Sequence, residues 1–146
     1  MMKLYSLAII GLCSIFAACS SKDVTTTDAS VLPTEAQNFI SKNYQGVNIT
    51  QVKIDKEALG DEYEVYLSNG TSLDFNSKGE LEKAKAGRND SIPNSIIPTE
   101  ITQYIHDAYP GAYIVKYEIE KGIKEVELSN GLEINFDIQN NVTADK

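Results

Sequence analysis

The chain has 146 residues, of which 42% are hydrophobic and 23% are charged, and these values are typical of one ordinary globular domain. The formal net charge is −8 and the sequence has no basic patch, which excludes nucleic acid as a partner because phosphates are neutralised by clustered lysine and arginine. There are only two cysteines, Cys13 and Cys19, and the first lies in a segment expected to be removed, so no disulfide bond is expected to stabilise the secreted protein.

Residues 1–18 have the features of a secretory signal. A basic start at Lys3 precedes an apolar run that is too short to cross a bilayer as a permanent helix. The sequence Phe16-Ala17-Ala18-Cys19 resembles a bacterial lipobox, in which the cysteine is acylated and becomes the first residue of the mature chain. We therefore expect a lipid at Cys19 that anchors the protein to the outer membrane of the cell envelope, on its periplasmic or its outer side. The alternative is a free thiol beside an ordinary signal cleavage site.

The segment 19–30 is rich in Ser, Thr and Asp and has no apolar period. Such a composition favours a flexible tether between the lipid and the folded domain. We expect the membrane to be contacted through the lipid anchor only.

The rest of the chain contains one motif twice. The sequences at 32–35 and 97–100 share Pro-Thr-Glu at an offset of 65 (97 − 32), and Leu-Ser-Asn-Gly occurs at 67–70 and 128–131 at an offset of 61 (128 − 67). The first copy therefore carries four extra residues, for which 57–60 are the natural candidates. We assign residues 31–84 to repeat 1, 85–95 to a linker and 96–146 to repeat 2.

Each repeat is predicted to contain one helix followed by three or four antiparallel strands. In repeat 1 apolar residues recur at helical spacing from Leu32 to Tyr44, and Gly46 ends the helix. Alternating apolar residues then predict strands that each bury one face, and their inner residues are Thr50, Val52, Ile54, Tyr63, Val65, Leu67, Leu73 and Phe75.

Repeat 2 follows the same pattern. Its helix stripe runs from Ile97 to Tyr109, and its first strand is predicted to turn Val115, Tyr117 and Ile119 inward. In both repeats an Asn-Gly pair between alternating runs predicts a two-residue type I′ hairpin, which requires a positive φ at both residues. Because each repeat offers one helix and a sheet with one apolar face, the two are expected to share a core as an α+β fold, with one continuous antiparallel sheet and the helices on one face.

The sequence does not favour an enzyme. The only histidine, His106, lacks the additional residues that a nucleophile and base pair or a zinc site needs, and no cofactor or metal motif is found. Polar residues at outward strand positions instead form a candidate binding face, consisting of Lys53, Glu64, Tyr66, Asp74, Glu118, Glu125, Glu127 and Glu133. Tyr66, an aromatic residue at an outward position, is either an ordinary strand former or a contact residue of this face.

The tandem unit, with its x-Pro-x-x-x helix start, Tyr-x-Gly helix end and Ser-Asn-Gly hairpin, resembles the PepSY-like family related to β-lactamase inhibitory protein. The resemblance covers residues 32–142 and implies a secreted or lipid-anchored envelope protein whose open sheet face and hairpin loops hold a protein. The chain has no Trp and no disulfide pair, so inhibition of β-lactamase itself is poorly supported.

The leading hypothesis is a monomeric, non-enzymatic envelope module that binds an envelope protein or peptide through the open sheet face and hairpin loops, with inhibition of that partner left open. The alternative is a sensor lipoprotein that holds cations or a small ligand on the acidic sheet face.

Overall fold

The computed structural model describes residues 23–145, so the signal sequence and Cys19, with the predictions made for them, lie outside the described residues. Within this range there are two helices and nine strands. Their bounds are β1 (Val24–Thr26), α1 (Thr34–Asn43), β2 (Ile49–Asp55), β3 (Glu62–Leu67), β4 (Ser72–Phe75), β5 (Leu81–Lys85), α2 (Thr99–Ala108), β6 (Ile114–Glu120), β7 (Ile123–Leu128), β8 (Glu133–Phe136) and β9 (Val142–Asp145).

The nine strands form a single sheet in which each strand lies beside its neighbours in sequence order and antiparallel to them. The two repeats are joined by the pairing of β5 with β6, where Ala84 lies opposite Tyr117. The predicted α+β fold with one continuous antiparallel sheet is therefore confirmed.

Both helices cover the same face of the sheet. Each begins directly after a proline and has a glutamate in its first turn, where the helix dipole favours negative charge. The ring of Phe39 on α1 meets Phe75 edge-on at 5.6 Å between ring centroids, and Tyr104 on α2 meets Phe136 in the same way at 5.7 Å. These contacts are equivalent in the two repeats, and all four rings belong to one hydrophobic core. Neither described helix has the length and apolar character needed to cross a bilayer.

The sheet has two distinct ends. The end where β1 begins also carries the connections 56–61, 76–80, 121–122 and 137–141, and we call it the proximal end. The opposite, distal end carries the Ser-Asn-Gly hairpins at 68–70 and 129–131. The connection 56–61 has four more residues than its counterpart 121–122, which accounts for the difference in length between the two repeats.

A β-bulge corrects the predicted inner face of β6. The register shifts between Ile114 and Lys116, so that Ile114 is buried in the core and Val115 is only half-buried. The matching bulge in β2 leaves Thr50 exposed. One extra residue moves the side chains before the bulge to the opposite face of the sheet. The alternation of apolar and polar residues in the sequence does not indicate where such a bulge occurs.

The tether prediction is wrong from residue 24 onward. Val24–Thr26 forms β1, in which Thr25 lies opposite Lys53 of β2. In repeat 2 the strand equivalent to β2 is β6, and its corresponding edge pairs with β5. Lys83 of β5 lies opposite Glu118, which is the counterpart of Lys53. The β-branched segment thus covers an edge of β2 that would otherwise be free.

The hairpins also differ from the prediction. Leu67 accepts a hydrogen bond from the Gly70 backbone N–H at 2.9 Å and donates to the Thr71 carbonyl, which makes Ser68-Asn69-Gly70 a three-residue loop. Only the glycines have positive φ, at 86° for both Gly70 and Gly131, so the type I′ prediction is wrong. The asparagine serves the turn differently, because Asn69 Oδ1 accepts from the Thr71 N–H at 3.1 Å.

We expect Gly70→Ala to destabilise the protein more than Gly131→Ala. At both positions the left-handed backbone costs a side chain about 1 kcal/mol. A Cβ at Gly70 would also lie 3.3 Å from the Gly87 Cα, whereas at Gly131 nothing lies within 4 Å. Urea unfolding of the two variants gives the comparison, and equal losses of unfolding free energy would show that the Gly87 contact is tolerated.

Candidate functional site

The sheet face opposite the helices, here called the open face, carries all eight residues of the candidate binding face. Cross-strand pairing arranges them in two rows with residues that the sequence had not singled out. One row is Lys53, Glu64, Asp74, Lys83, Glu118, Glu125 and Asn135, and the other is Gln51, Tyr66, Ser72, Lys85, Lys116, Glu127 and Glu133. The lysines of β5 and β6 were missed, although the outward alternation of their strands could have indicated them.

The first cluster on the open face joins Lys53, Glu64 and Tyr66. Lys53 Nζ lies 3.2 Å from Glu64 Oε2 and donates a hydrogen bond of 2.9 Å to the Tyr66 hydroxyl, which in turn donates to Glu64. The Lys53 ammonium is also 5.0 Å from the centroid of the Tyr66 ring. The bonds to Tyr66 and Glu64 raise the pKa of Lys53. Tyr66 is therefore fixed by its hydroxyl, and its role as a contact residue stays a prediction.

The second cluster is built around Lys116, a residue on β6. Its Nζ lies 2.8 Å from Glu118 Oε2 and 2.9 Å from Glu125 Oε1. Burial lowers the pKa of Lys116, but the hydrogen bonds to the two carboxylates outweigh this effect and raise it. The bond to Lys116 lowers the pKa of Glu118. Glu118 and Glu125 lie directly opposite each other, and Lys116 neutralises their repulsion.

Three other opposed carboxylate pairs have no such bridge, and one of them is Glu127 with Glu133. Asp74 lies directly opposite Glu64, and Asp55 lies directly opposite Glu62. Like charges in this arrangement destabilise a sheet. Among the described residues no side chain donates a hydrogen bond to Asp74, Asp55 or Glu62.

Asp74 is the carboxyl most affected by these surroundings. Burial and the negative charge of Glu64 raise its pKa from 3.8 to about 6, and the attraction of Lys83 only partly opposes them. At neutral pH the group is ionised at a cost to the folded state. The equivalent residue of repeat 2 is Asn135, which carries no charge and lies opposite Glu125.

These side chains surround a groove of about 740 Å³ on the open face near the proximal end, which we call the acidic groove. Eight carboxylates and three ammonium groups line it, together with Ile54, Tyr63, Phe75 and Ile119. The charged residues are Asp23, Asp55, Glu62, Glu64, Asp74, Glu82, Glu118, Glu120, Lys53, Lys83 and Lys121. The groove therefore presents an excess of negative charge to any molecule that enters it.

The carboxylates are spread across the sheet. Within residues 23–145 no group of three or more His, Cys, Asp or Glu side chains is arranged to hold a metal ion. Glu127 and Glu133, opposite each other, lie outside the acidic groove. His106 is exposed on α2, which covers the other face of the sheet, and its Nδ1 lies 2.9 Å from Asp107 Oδ1.

Comparison with known proteins gives relatives over nearly the whole described chain. The model of the family described as "Putative beta-lactamase-inhibitor-like, PepSY-like" matches residues 18–83 and 61–144. A "putative periplasmic protein of unknown function" from Bacteroides vulgatus is 34% identical, with a TM-score of 0.80 over 86% of this chain and 99% of that one. A "putative calcium-regulated periplasmic protein" from Bacteroides thetaiotaomicron is 31% identical, with a TM-score of 0.79 over 85% and 96%. No curated protein matches the chain.

Proposed function

Because the chain belongs to the PepSY-like, beta-lactamase-inhibitor-like family, we propose that it is a non-enzymatic binding module of the bacterial envelope that holds a protein or peptide partner on the open face of its sheet. The structural relatives are described as putative periplasmic proteins, which supports an envelope location. A lipid at Cys19 that anchors the protein to the outer membrane is part of the proposal.

The observation that carries the proposal is the position of Asp74. Its carboxylate is desolvated, faces Glu64 and receives no hydrogen bond from the described residues, although the neutral Asn135 fills the equivalent place in repeat 2. An ionised group that destabilises the folded protein is typical of a functional position, where stability is given up for binding.

The charge of the acidic groove favours a basic partner. A Lys or Arg side chain placed between Glu64, Asp74 and Glu118 would offset the repulsion that the sheet itself leaves uncompensated around Asp74. Because the groove carboxylates lie on several strands, a segment with more than one basic side chain fits them better than a single ion does. We therefore propose a partner with a basic, extended segment.

Mild cross-linking in the native envelope, followed by isolation of the protein, tests this function. We expect a specific partner with a basic segment to be captured by the wild type and lost in Glu62→Gln/Asp74→Asn. The control Glu127→Gln/Glu133→Gln removes an opposed carboxylate pair from the same face outside the groove and should retain the partner. If Glu62→Gln/Asp74→Asn captured as much partner as the control variant and the wild type, the interface would lie outside the acidic groove.

The second candidate is binding of a divalent cation. The relative described as "putative calcium-regulated" and the surplus of carboxylates in the groove favour it. The absence of a converging group of three acidic side chains among residues 23–145 weighs against a preformed site. A calcium-dependent rise in the melting temperature, abolished in Asp74→Asn, together with failure to capture a basic partner, would favour the cation.

A further inference from the structure

Exposed apolar side chains gather at the proximal end of the sheet. Of the seven large hydrophobic residues that are exposed in the described part of the chain, five lie there, on β1 or at three separate turns. Leu59, in the connection between β2 and β3, is 100% exposed, and Ile138, in the turn between β8 and β9, is 70% exposed. Neither position contributes to the core, so their apolar character is not explained by folding.

The chain enters the domain at this same end. β1 begins at Val24, opposite Ile54 near the end of β2, and Cys19 precedes it by only five residues. Five residues span at most about 17 Å even when fully extended. A lipid on Cys19 therefore holds the proximal end within that distance of the membrane surface. The predicted tether of residues 19–30 would have left the orientation of the domain relative to the membrane free.

From these two facts we infer that the proximal end rests on a phospholipid bilayer, with Leu59 and Ile138 inserted among the lipids. The inference rests on the proposed anchor at Cys19. It does not depend on what the open face binds.

A bilayer fits this surface better than a protein partner does. Leu59 and Ile138 lie on separate turns, an arrangement that suits a planar fluid surface. Lys78 lies in the same set of connections, forms no ion pair with the described residues and can reach a lipid phosphate, whereas Lys56 and Lys121 are paired with Asp61 and Glu120. Since the nearby acidic groove repels strongly anionic lipid, the surface expected is zwitterionic.

The absence of tryptophan from the sequence makes the inference directly testable. Residues 19–146 contain every described element and a single thiol, at Cys19, which can be coupled to a maleimide lipid in phosphatidylcholine vesicles. Leu59→Trp and Ile138→Trp report from the proximal end. Tyr113→Trp is the control, because Tyr113 is 46% exposed and lies beside the distal hairpin, where its carbonyl accepts from Ser129.

Brominated lipid should quench the fluorescence of Leu59→Trp and Ile138→Trp by about twofold, since inserted side chains reach about 5–10 Å into the bilayer, and leave Tyr113→Trp unchanged. If either proximal reporter is not quenched, or if Tyr113→Trp is quenched equally, the inference is wrong. Chemical coupling makes this outcome independent of native acylation and of the open face. Acylation itself is tested by metabolic labelling with a fatty-acid analogue, which Cys19→Ala should abolish.

Discussion

Asp74→Asn should stabilise the protein at pH 7 by about 1–2 kcal/mol. The pKa of Asp74 rises from 3.8 to about 6 on folding, a change that corresponds to about 3 kcal/mol of unfavourable ionisation at about 1.36 kcal/mol per pH unit. Because the side chain is only partly buried, solvent screening reduces that figure. Asparagine keeps the shape of the side chain and removes the charge, as Asn135 does in repeat 2.

The raised pKa of Asp74 determines how the stability gained by Asp74→Asn depends on pH. Between pH 4 and 6 the folded protein retains a proton on Asp74 that the unfolded chain has released, so the contribution of this group to stability is present below pH 4 and is lost as the pH rises through 6. The gain from Asp74→Asn should therefore be complete above pH 7 and vanish near pH 4.

Urea unfolding of the wild type and Asp74→Asn from pH 4 to 8 measures this dependence. The reverse change in repeat 2, Asn135→Asp, places a carboxylate opposite Glu125 and should destabilise the protein over the same pH range. A gain in Asp74→Asn that did not change with pH would show that packing, and not charge, is responsible.

Much of the fold follows from the sequence because the motif occurs twice. A single copy would leave the assignment of strands and the location of the core open, but two copies that agree predict one sheet with one covered face. The contacts of Phe39 with Phe75 and of Tyr104 with Phe136 are the same contact made twice.

What the sequence did not predict depends on backbone geometry or on contacts between distant residues. The bulge that buries Ile114 instead of Val115 adds one residue without any change in composition. β1 forms because β2 offers an edge about thirty residues later, which local polarity does not reveal. In the hairpins the Asn-Gly pair predicts a two-residue turn with positive φ at both residues. The structure has that pair of positive φ angles at Lys121 and Gly122, in the connection between β6 and β7.

The candidate site, like the fold, was predicted only in part from the sequence. Alternation predicted which side chains face outward on β3, β4, β6, β7 and β8, but not which of them lie opposite each other. Strand register places Asp74 between Glu64 and Lys83 and makes Lys116 the bridge between Glu118 and Glu125. The unbalanced charge at Asp74, on which the proposed function depends, is therefore a property of register and could not be read from the spacing of residues.

Neutralising the acidic groove should weaken binding of a basic segment on the order of tenfold, which corresponds to about 1.4 kcal/mol. The reason is that Glu62→Gln/Asp74→Asn removes two carboxylates that have no hydrogen-bond donor among the described residues and are free to bind an incoming cation. Protonation of Asp74 removes the same charge, so the affinity of the wild type should also fall as the pH drops below about 6.

Calorimetric titration with an extended lysine-rich peptide tests directly whether the acidic groove is the binding site. We expect the wild type and Glu127→Gln/Glu133→Gln to bind the peptide equally and Glu62→Gln/Asp74→Asn to bind it about tenfold more weakly. A peptide with glutamine in place of lysine should not bind. Equal affinity in all three proteins, or no binding by the wild type at pH 7.5 and low salt, would contradict the assignment of the acidic groove as the binding site.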